Sequence, residues 1–592
     1  MLESHVAGTK VDPVLVSVLQ RRLKSIAGEI SQALLRASRS PLQNQARDMG
    51  SGLMDARGGM LEQDEFRALF CFAIPRGCQH VVRFYGDDVA PGDVILHNDV
   101  FAGGQQLSDT GIYIPIFDGE QLVAWAATKG HQLDLGGPVP SSCNPLATEY
   151  YQEGLRIPPV KIYEKNVFKR DVWNLIFSNM RLREIIEPDM RAQIGACMLG
   201  QRRVQALVAR YGHAAFFELV EAIYDSAERM MRKEIQAIPD GTYTGETHIT
   251  FDGIHEDRTY TIRVTVTVDG DEMLLDYTGT SPQAEAYTNA PLSSSISAAL
   301  NVVFMLVSPQ VPHNEGSLRP VHFNIPEGCM LNPRPPAATF YGNFTSAPHA
   351  DAIFRAFAPA LPQRVTAGWA KCHAWRITGW DPRRGRRYGD ILFVAFKGGA
   401  GASDGLDGFS NAAPIYSVST LTQDYELFEL QDPHFLIHHE YEVDTGGPGR
   451  WRGGLGNTTS WRFDGRDGVA IVQGEDEGGY GVFGGRDGVP NRSRLIYPDG
   501  TTHATRCKEI IKDPLPPGTI VEQHSGGGGG FGDPLERAPE AVLEDVLDEF
   551  VSVEAAHRDY GVVIDPAALE IDYAATEALR ESRRVGGAGN GL

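Results

Sequence analysis

No two cysteines in this chain are spaced as Cys-x-x-Cys, and the seven present (71, 78, 143, 197, 329, 372 and 507) are scattered and odd in number. Neither a disulfide framework nor a thiolate zinc site is expected from such a set. Positive charge is also scarce. Lys and Arg number 54 against 76 Asp and Glu, a formal net charge of -22. No basic stripe offsets this, which argues against nucleic acid or an anionic membrane as partner. The short basic runs, Arg21-Arg22 and Arg383-Arg384-Gly385-Arg386-Arg387, read as solvated turns or interface charges. No apolar run reaches the ~20 residues of a membrane span. The start, Met1-Leu2-Glu3-Ser4-His5, lacks the basic and apolar segments of a secretory signal, so a cytoplasmic location is expected. Also missing is any Gly-x-x-x-x-Gly-Lys-Ser/Thr phosphate loop.

What the chain has in excess is glycine: 65 of 592 residues, about 11% against an average near 7%. The glycines concentrate late, in 398–401, 484–485 and the run Gly526 to Gly530. No Gly-x-y period exists, which excludes collagen. Five consecutive glycines read either as a flexible linker or, because Phe531, Pro534 and Leu535 follow at once, as an ordered segment. A hydrophobic fraction of 42% is ordinary for a soluble globular protein, and the length predicts two or three domains. We place the divisions at 1–190, 191–390 and 391–580, with 581–592 as a disordered tail.

Periodicity supplies the elements. Asp12-Pro13 is a helix start, followed by Leu15, Leu19, Leu23, Ile26, Ile30 and Leu34 at helical spacing until Ser40-Pro41. A second helical region spans about 190–234, broken near Gly212, and ends at Ile238-Pro239-Asp240-Gly241. Ile262, Val264, Val266 and Val268 then alternate, Asp269-Gly270 turns, and Met273 to Tyr277 returns as a hairpin. A helix is predicted over 293–307 and an acidic amphipathic one over 540–550. From about 390 to 530 the chain reads as short strands and glycine turns.

Two segments carry the chemistry. One is His97-Asn98-Asp99-Val100-Phe101-Ala102-Gly103-Gly104-Gln105-Gln106-Leu107-Ser108-Asp109. The other is Lys129-Gly130-His131-Gln132-Leu133-Asp134-Leu135-Gly136-Gly137. Between them Ile112, Ile114 and Ile116, then Phe117-Asp118-Gly119-Glu120, then Leu122, Val123 and Trp125 read as a hairpin. A hairpin brings the loop before its first strand close to the loop after its second. Asp99, Asp109, His131 and Asp134 are thereby expected at one end of a sheet. His438-His439 and His349-Ala350-Asp351 rank below them as ligand clusters, and Ser525 and Cys507 lack nucleophile context. Phe70, Phe101 and Trp125 read either as an aryl pocket or as core.

Segment 98–109 resembles the Asn-Asp-Pro-Tyr-x-Gly-Gly-Thr-His-Leu-Pro-Asp signature of the hydantoinase B/oxoprolinase family. His131 to Gly137 resembles its His-His-x-Asp-Ile-Gly-Gly segment, with Gln132 in place of the second His. Arg47-Asp48, Glu153 to Val160, Gly446 to Gly456, Gly526 to Arg537 and Val551 to Val562 resemble further family segments in the same order. The resemblance implies an α+β fold: two β-sheets in a barrel-like arrangement, flanking helices, and a glycine-rich bundle of polyproline-II-like segments. It implies a subunit, inactive alone, of an ATP-dependent complex. An actin-like ATPase partner, possibly with a small subunit, would bind ATP and Mg and phosphorylate the substrate. Asp48, Asp109, His131 and Asp134 are the implied catalytic residues. In metal-bearing relatives the ligand positions correspond to Gln106, Asp109 and His131, where Mn or Zn would bind. Gln106 replaces an imidazole and is a weak ligand. That departure favours carboxylation of an activated ketone by bicarbonate, as in an acetophenone-type carboxylase, over metal-assisted hydrolysis of a lactam or hydantoin. A non-catalytic scaffold is the third reading.

Overall fold

A computed structural model describes residues 12–587. The first helix, Pro13–Ala37, is capped by Asp12, whose carboxylate accepts from Val14 N at 2.9 Å. Its buried stripe, Leu19, Leu23, Ile26, Ile30 and Leu34, is the one that the periodicity predicts. It packs beside the helix Arg183–Tyr211, which hands over to His213–Gln236 at Gly212, held at φ 81°. The predicted start near 190 is late by two turns, because Pro188 lies inside the first part of that helix.

Seven antiparallel strands make the sheet that matters for the site: β1 (Met49–Asp55), β2 (Met60–Asp64), β3 (Val94–His97), β4 (Asp109–Asp118), β5 (Gln121–His131), β6 (Val160–Glu164) and β7 (Val167–Phe168), in the order β2-β1-β5-β4-β3-β6-β7. The predicted hairpin is β4–β5, turning at Gly119 with φ 61° and Asp118 opposite Gln121. Both of its faces are covered. Ile112, Ile114, Ile116, Ala124 and Ala126 join the main core, whereas Tyr113, Trp125 and Ala127 pack with Phe70, Ile74 and Ile95 in a second one. Trp125 and Phe70 are therefore core residues rather than an aryl pocket.

A second sheet contains β8 (Gly241–Ile249), β9 (Tyr260–Asp269), β10 (Glu272–Asp276) and β11 (Val321–Asn324), with β9–β10 the other predicted hairpin. The remaining strands are β12 (His373–Asp381), β13 (Arg386–Ile391), β14 (His434–Tyr441), β15 (Asn457–Phe463), β16 (Arg466–Gly474), β17 (Arg492–Ile496), β18 (Thr502–Thr505), β19 (Glu509–Ile510) and β20 (Thr519–His524). They form two further sheets, β13-β12-β16-β19 and β14-β15-β20-β17-β18. The architecture is thus α+β, but with four open sheets instead of two in a barrel. Each sheet ends in strands that do not pair with one another, so none closes. The apolar core is continuous from Leu19 to Phe531 and runs across the divisions placed at 190 and 390. A final helix, Tyr573–Gly587, occupies the start of the expected tail, and residues 588–592 lie outside the described residues.

The glycine run is ordered, not a linker. Ser525 to Gly530 are all buried, and successive peptides bond to different neighbours. Gly527 N donates to Val489 O, Gly528 N to Gly454 O and Gly529 N to Gly368 O, all at 2.8–2.9 Å. In return Gly479, Gly447 and Ala402 donate to their carbonyls. A β-ladder pairs one strand with one partner, whereas here a single extended segment is ringed by several.

Candidate functional site

The β4–β5 register sets Asp109 directly opposite His131 at the open end of the hairpin. His131 Nδ1 lies 2.6 Å from Asp109 Oδ1. Its other nitrogen, Nε2, lies 3.1 Å from Nη2 of Arg376, which projects from β12. A guanidinium only donates. His131 Nε2 must therefore accept, which puts the ring proton on Nδ1, where it donates to Asp109. The imidazole is thus oriented by a carboxylate on one side and met by the guanidinium on the other.

Asp109 is tightly held. Its Oδ2 accepts from Asn343 Nδ2 at 3.0 Å and from Gln106 N at 3.3 Å. Burial by itself would raise this carboxyl. The hydrogen bond from His131, the charge of Lys129 and the Asn343 amide outweigh burial and hold it below its ordinary value. Lys129 is buried beneath, with Nζ 3.2 Å from Gln105 Oε1, and burial brings its ammonium down to about 8.

Asp48 is adjacent through its backbone: its carbonyl accepts from His131 N at 3.1 Å, while its carboxylate pairs with Arg67 at 3.0 Å. Asp134 is not part of the cluster. Its oxygens accept from the backbone of Gly136, Ser141 and Arg181 and from Arg181 Nη1, the last at 2.9 Å. Asp134 organises a loop. Asp99 likewise faces away, bridged by Arg156 Nε and Nη2 at 2.8 and 2.6 Å. The 153–160 segment serves the same purpose. Asn98 Oδ1 accepts from Ile157 N at 2.6 Å, and Glu153 accepts from the backbone of Thr339 and Phe340, both at 2.7 Å.

Gln106 does reach the neighbourhood, but its amide nitrogen donates to Phe340 O rather than turning to Asp109 and His131. Gln132 turns to the other face, donating to Thr110 Oγ1 and Gln193 Oε1. Among the described residues no group of three or more His, Cys, Asp or Glu side chains is placed to hold a metal ion. With the Gln106 amide turned to Phe340 O and both Asp109 oxygens engaged, the Gln106, Asp109 and His131 set as arranged does not fit Mn or Zn. The lower-ranked clusters are spent elsewhere. His349 meets Tyr277 Oη at 2.7 Å, Asp351 pairs with Lys371, and His438 and His439 face Thr458 and Thr459.

Sequence reasoning missed Arg376, Asn343 and Lys129. Lys129 stands inside the second segment, and its place on a doubly covered strand was the available signal. Nothing in spacing points to Arg376 or Asn343. The pair itself is enclosed, with His131 at 3% exposure and Asp109 at 0%. A cavity of about 400 Å³, lined in part by Arg76, His80, Arg83 and Phe101, lies on the 100–103 loop outside it.

A family model described as hydantoinase B/oxoprolinase matches residues 12–534. The caprolactamase subunit beta of Pseudomonas jessenii is 35% identical over 584 residues, covering 96% of this chain and 99% of that protein. The crystal structure of the ATP-dependent caprolactamase from the same organism aligns with a TM-score of 0.89 at 32% identity, covering 97% of this chain and 100% of that one. A nucleotide-free acetone carboxylase structure aligns with a TM-score of 0.90 at 21% identity, over 98% of this chain and 84% of that one, which shows a shared fold.

Proposed function

The chain belongs to the hydantoinase B/oxoprolinase family, and we propose that it is the subunit of an ATP-dependent complex that completes the hydrolysis of a cyclic amide. The observation that carries this reading is the Asp109–His131 pair, whose accepting nitrogen Nε2 meets Arg376 Nη2 at 3.1 Å. Opening a phosphorylated lactam needs a water stripped of its proton, and a neutral imidazole held by a carboxylate is such a base without a metal. The tilt from Gln106 towards carboxylation loses its force once a metal-free base is at hand. Water adds to the activated carbon as His131 takes its proton, and the C–N bond breaks as that proton passes to the ring nitrogen. A second water releases phosphate from the acyl phosphate that remains. The second N–H of Arg376 Nη2, not used by His131, donates to the oxyanion formed at the attacked carbon. An actin-like ATPase partner supplies the phosphoryl group, consistent with the absence of a phosphate loop from this chain.

A second reading keeps the acetophenone-type carboxylation, in which His131 removes the proton and bicarbonate supplies the carboxyl group. Its support is the enclosure of the pair, since a dry site protects such intermediates from water. The two are separated by reconstituting the complex and measuring lactam opening against bicarbonate-dependent 3-oxo acid formation. Under the hydrolase reading, H131A lowers lactam-dependent turnover by ~10²–10⁴. Unchanged turnover would leave the subunit a scaffold. For the glycine run, we read the ring of single-peptide contacts as a polyproline-II-like bundle, in which only glycine fits between closely packed backbones.

A further inference from the structure

We propose that Arg376 is a built-in cation standing where a divalent metal would otherwise sit, so that this centre works without one. The inference rests on reading Asp109–His131 as the reacting pair. Three observations support it. The first is steric. A metal bonded to His131 Nε2 lies ~2.1 Å from it, and Arg376 Nη2 is 3.1 Å from the same atom. Metal and guanidinium nitrogen would then be about 1 Å apart along the lone pair, so they exclude one another.

Secondly, Arg376 is fixed in place. It sits on β12 between β13 and β16, opposite Ile391 and Ile471. Nε donates to Gln473 Oε1 at 2.7 Å and Nη1 to Ser141 O at 3.2 Å, and the guanidinium lies 5.0 Å from the centre of the Phe340 ring. Thirdly, no carboxylate contacts it, although the charges of Asp48 and Asp109 act on it from nearby. All three of its polar partners are neutral groups, although the residue is 2% exposed. A buried cation without a contacting carboxylate is set to meet an anion at His131 Nε2, as a metal would. The other positions agree: both Asp109 oxygens are engaged within the protein and the Gln106 amide is turned to Phe340 O.

The test is metal uptake by the isolated full chain after dialysis against Mn(II) or Zn(II), read as metal per chain by mass spectrometry. It is independent of lactam turnover, so a failed hydrolase reading and a failed arginine reading give different results. The unmodified chain is expected to hold only traces. Restoring the imidazole alone, Q106H, is expected to leave it at traces, because the guanidinium still blocks Nε2. Q106H/R376A is expected to rise to about one metal per chain and to fall back when H131A is added. Uptake of one equivalent by the unmodified chain, or by Q106H with Arg376 intact, overturns the proposal. So does a folded Q106H/R376A that takes up none. Should that variant not fold, the Q106H result still decides.

Discussion

Gly528→Ala tests the packing of the glycine run, and its size can be worked out from the surroundings. Gly528 does not adopt the left-handed φ that strains alanine, so backbone conformation contributes nothing. The obstacle is space. A Cβ there would fall well inside contact distance of the Ala400 carbonyl and 2.8 Å from Gly401 N. These are backbone atoms, which cannot rotate away as a side chain would. Overpacking of a rigid site costs about 1–3 kcal/mol. Relief by moving the segment would stretch Gly528 N–Gly454 O at 2.9 Å and Gly447 N–Gly528 O at 2.8 Å, each about 1–3 kcal/mol when left buried and unpaired. Against this, the alanine removes up to ~1 kcal/mol of unfolded-state freedom. The net loss is about 2–9 kcal/mol, and because a chain of 592 residues unfolds with an entropy of ~1.2 kcal/mol/K, the melting temperature falls by at least about 2 °C. Gly28→Ala is the control. It lies inside the helix Pro13–Ala37 with nothing within 4 Å of its Cβ position, so it should stabilise by up to ~1 kcal/mol. Thermal unfolding followed by circular dichroism reads both. If G528A melts with the parent protein while G28A melts higher, the bundle is not packed as described and the linker reading returns.

Glu153 gives a pH signature. Burial raises its carboxyl from 4.5 to about 8, against the opposing backbone hydrogen bonds from Phe340 and Thr339. The folded state therefore binds the extra proton between these values. Its stabilising share is complete below 4.5 and is lost as pH rises towards 8, at ~1.4 kcal/mol per pH unit. E153Q should flatten that slope in urea titrations from about pH 5 to 8, and parallel curves for the two proteins would refute the assignment. Asp134→Ala should cost about 2–4 kcal/mol, because it leaves Arg181 and three backbone N–H groups unpaired. Asp109→Asn, in contrast, should keep the fold and lose turnover. A stable D134A with impaired turnover would reverse these roles. The isolated chain should not turn over ATP with or without a lactam, and a colorimetric phosphate assay on the single chain checks this.

Local chemistry determined a good deal by itself. Asp12-Pro13 and the leucine stripe fix the first helix, since a cap and a 3.6-residue period act within one segment. Asp118-Gly119 marks the turn, but the register in which Asp109 meets His131 also depends on the bulge between Ile116 and Phe117: counted straight from Asp118 opposite Gln121, Asp109 would face Gly130. The sequence also showed, in Gln106, that one imidazole of the resembling set is missing. The consequence of that substitution for the centre was decided only by the tertiary structure. The helix Gly342–Phe357 is buried on nearly every side, so it has no polar face and no period to betray it. Yet it supplies Asn343, and the stretch before it supplies Phe340, both more than 230 residues from Gln106 and Asp109. Arg376 arrives from a different sheet, 245 residues beyond His131. Spacing along a chain encodes neighbours within an element or a hairpin, where bonded geometry sets the distance. Which distant side chain fills the place beside Nε2 depends on how whole sheets and helices stack, and that is set by the shapes of all the buried surfaces together.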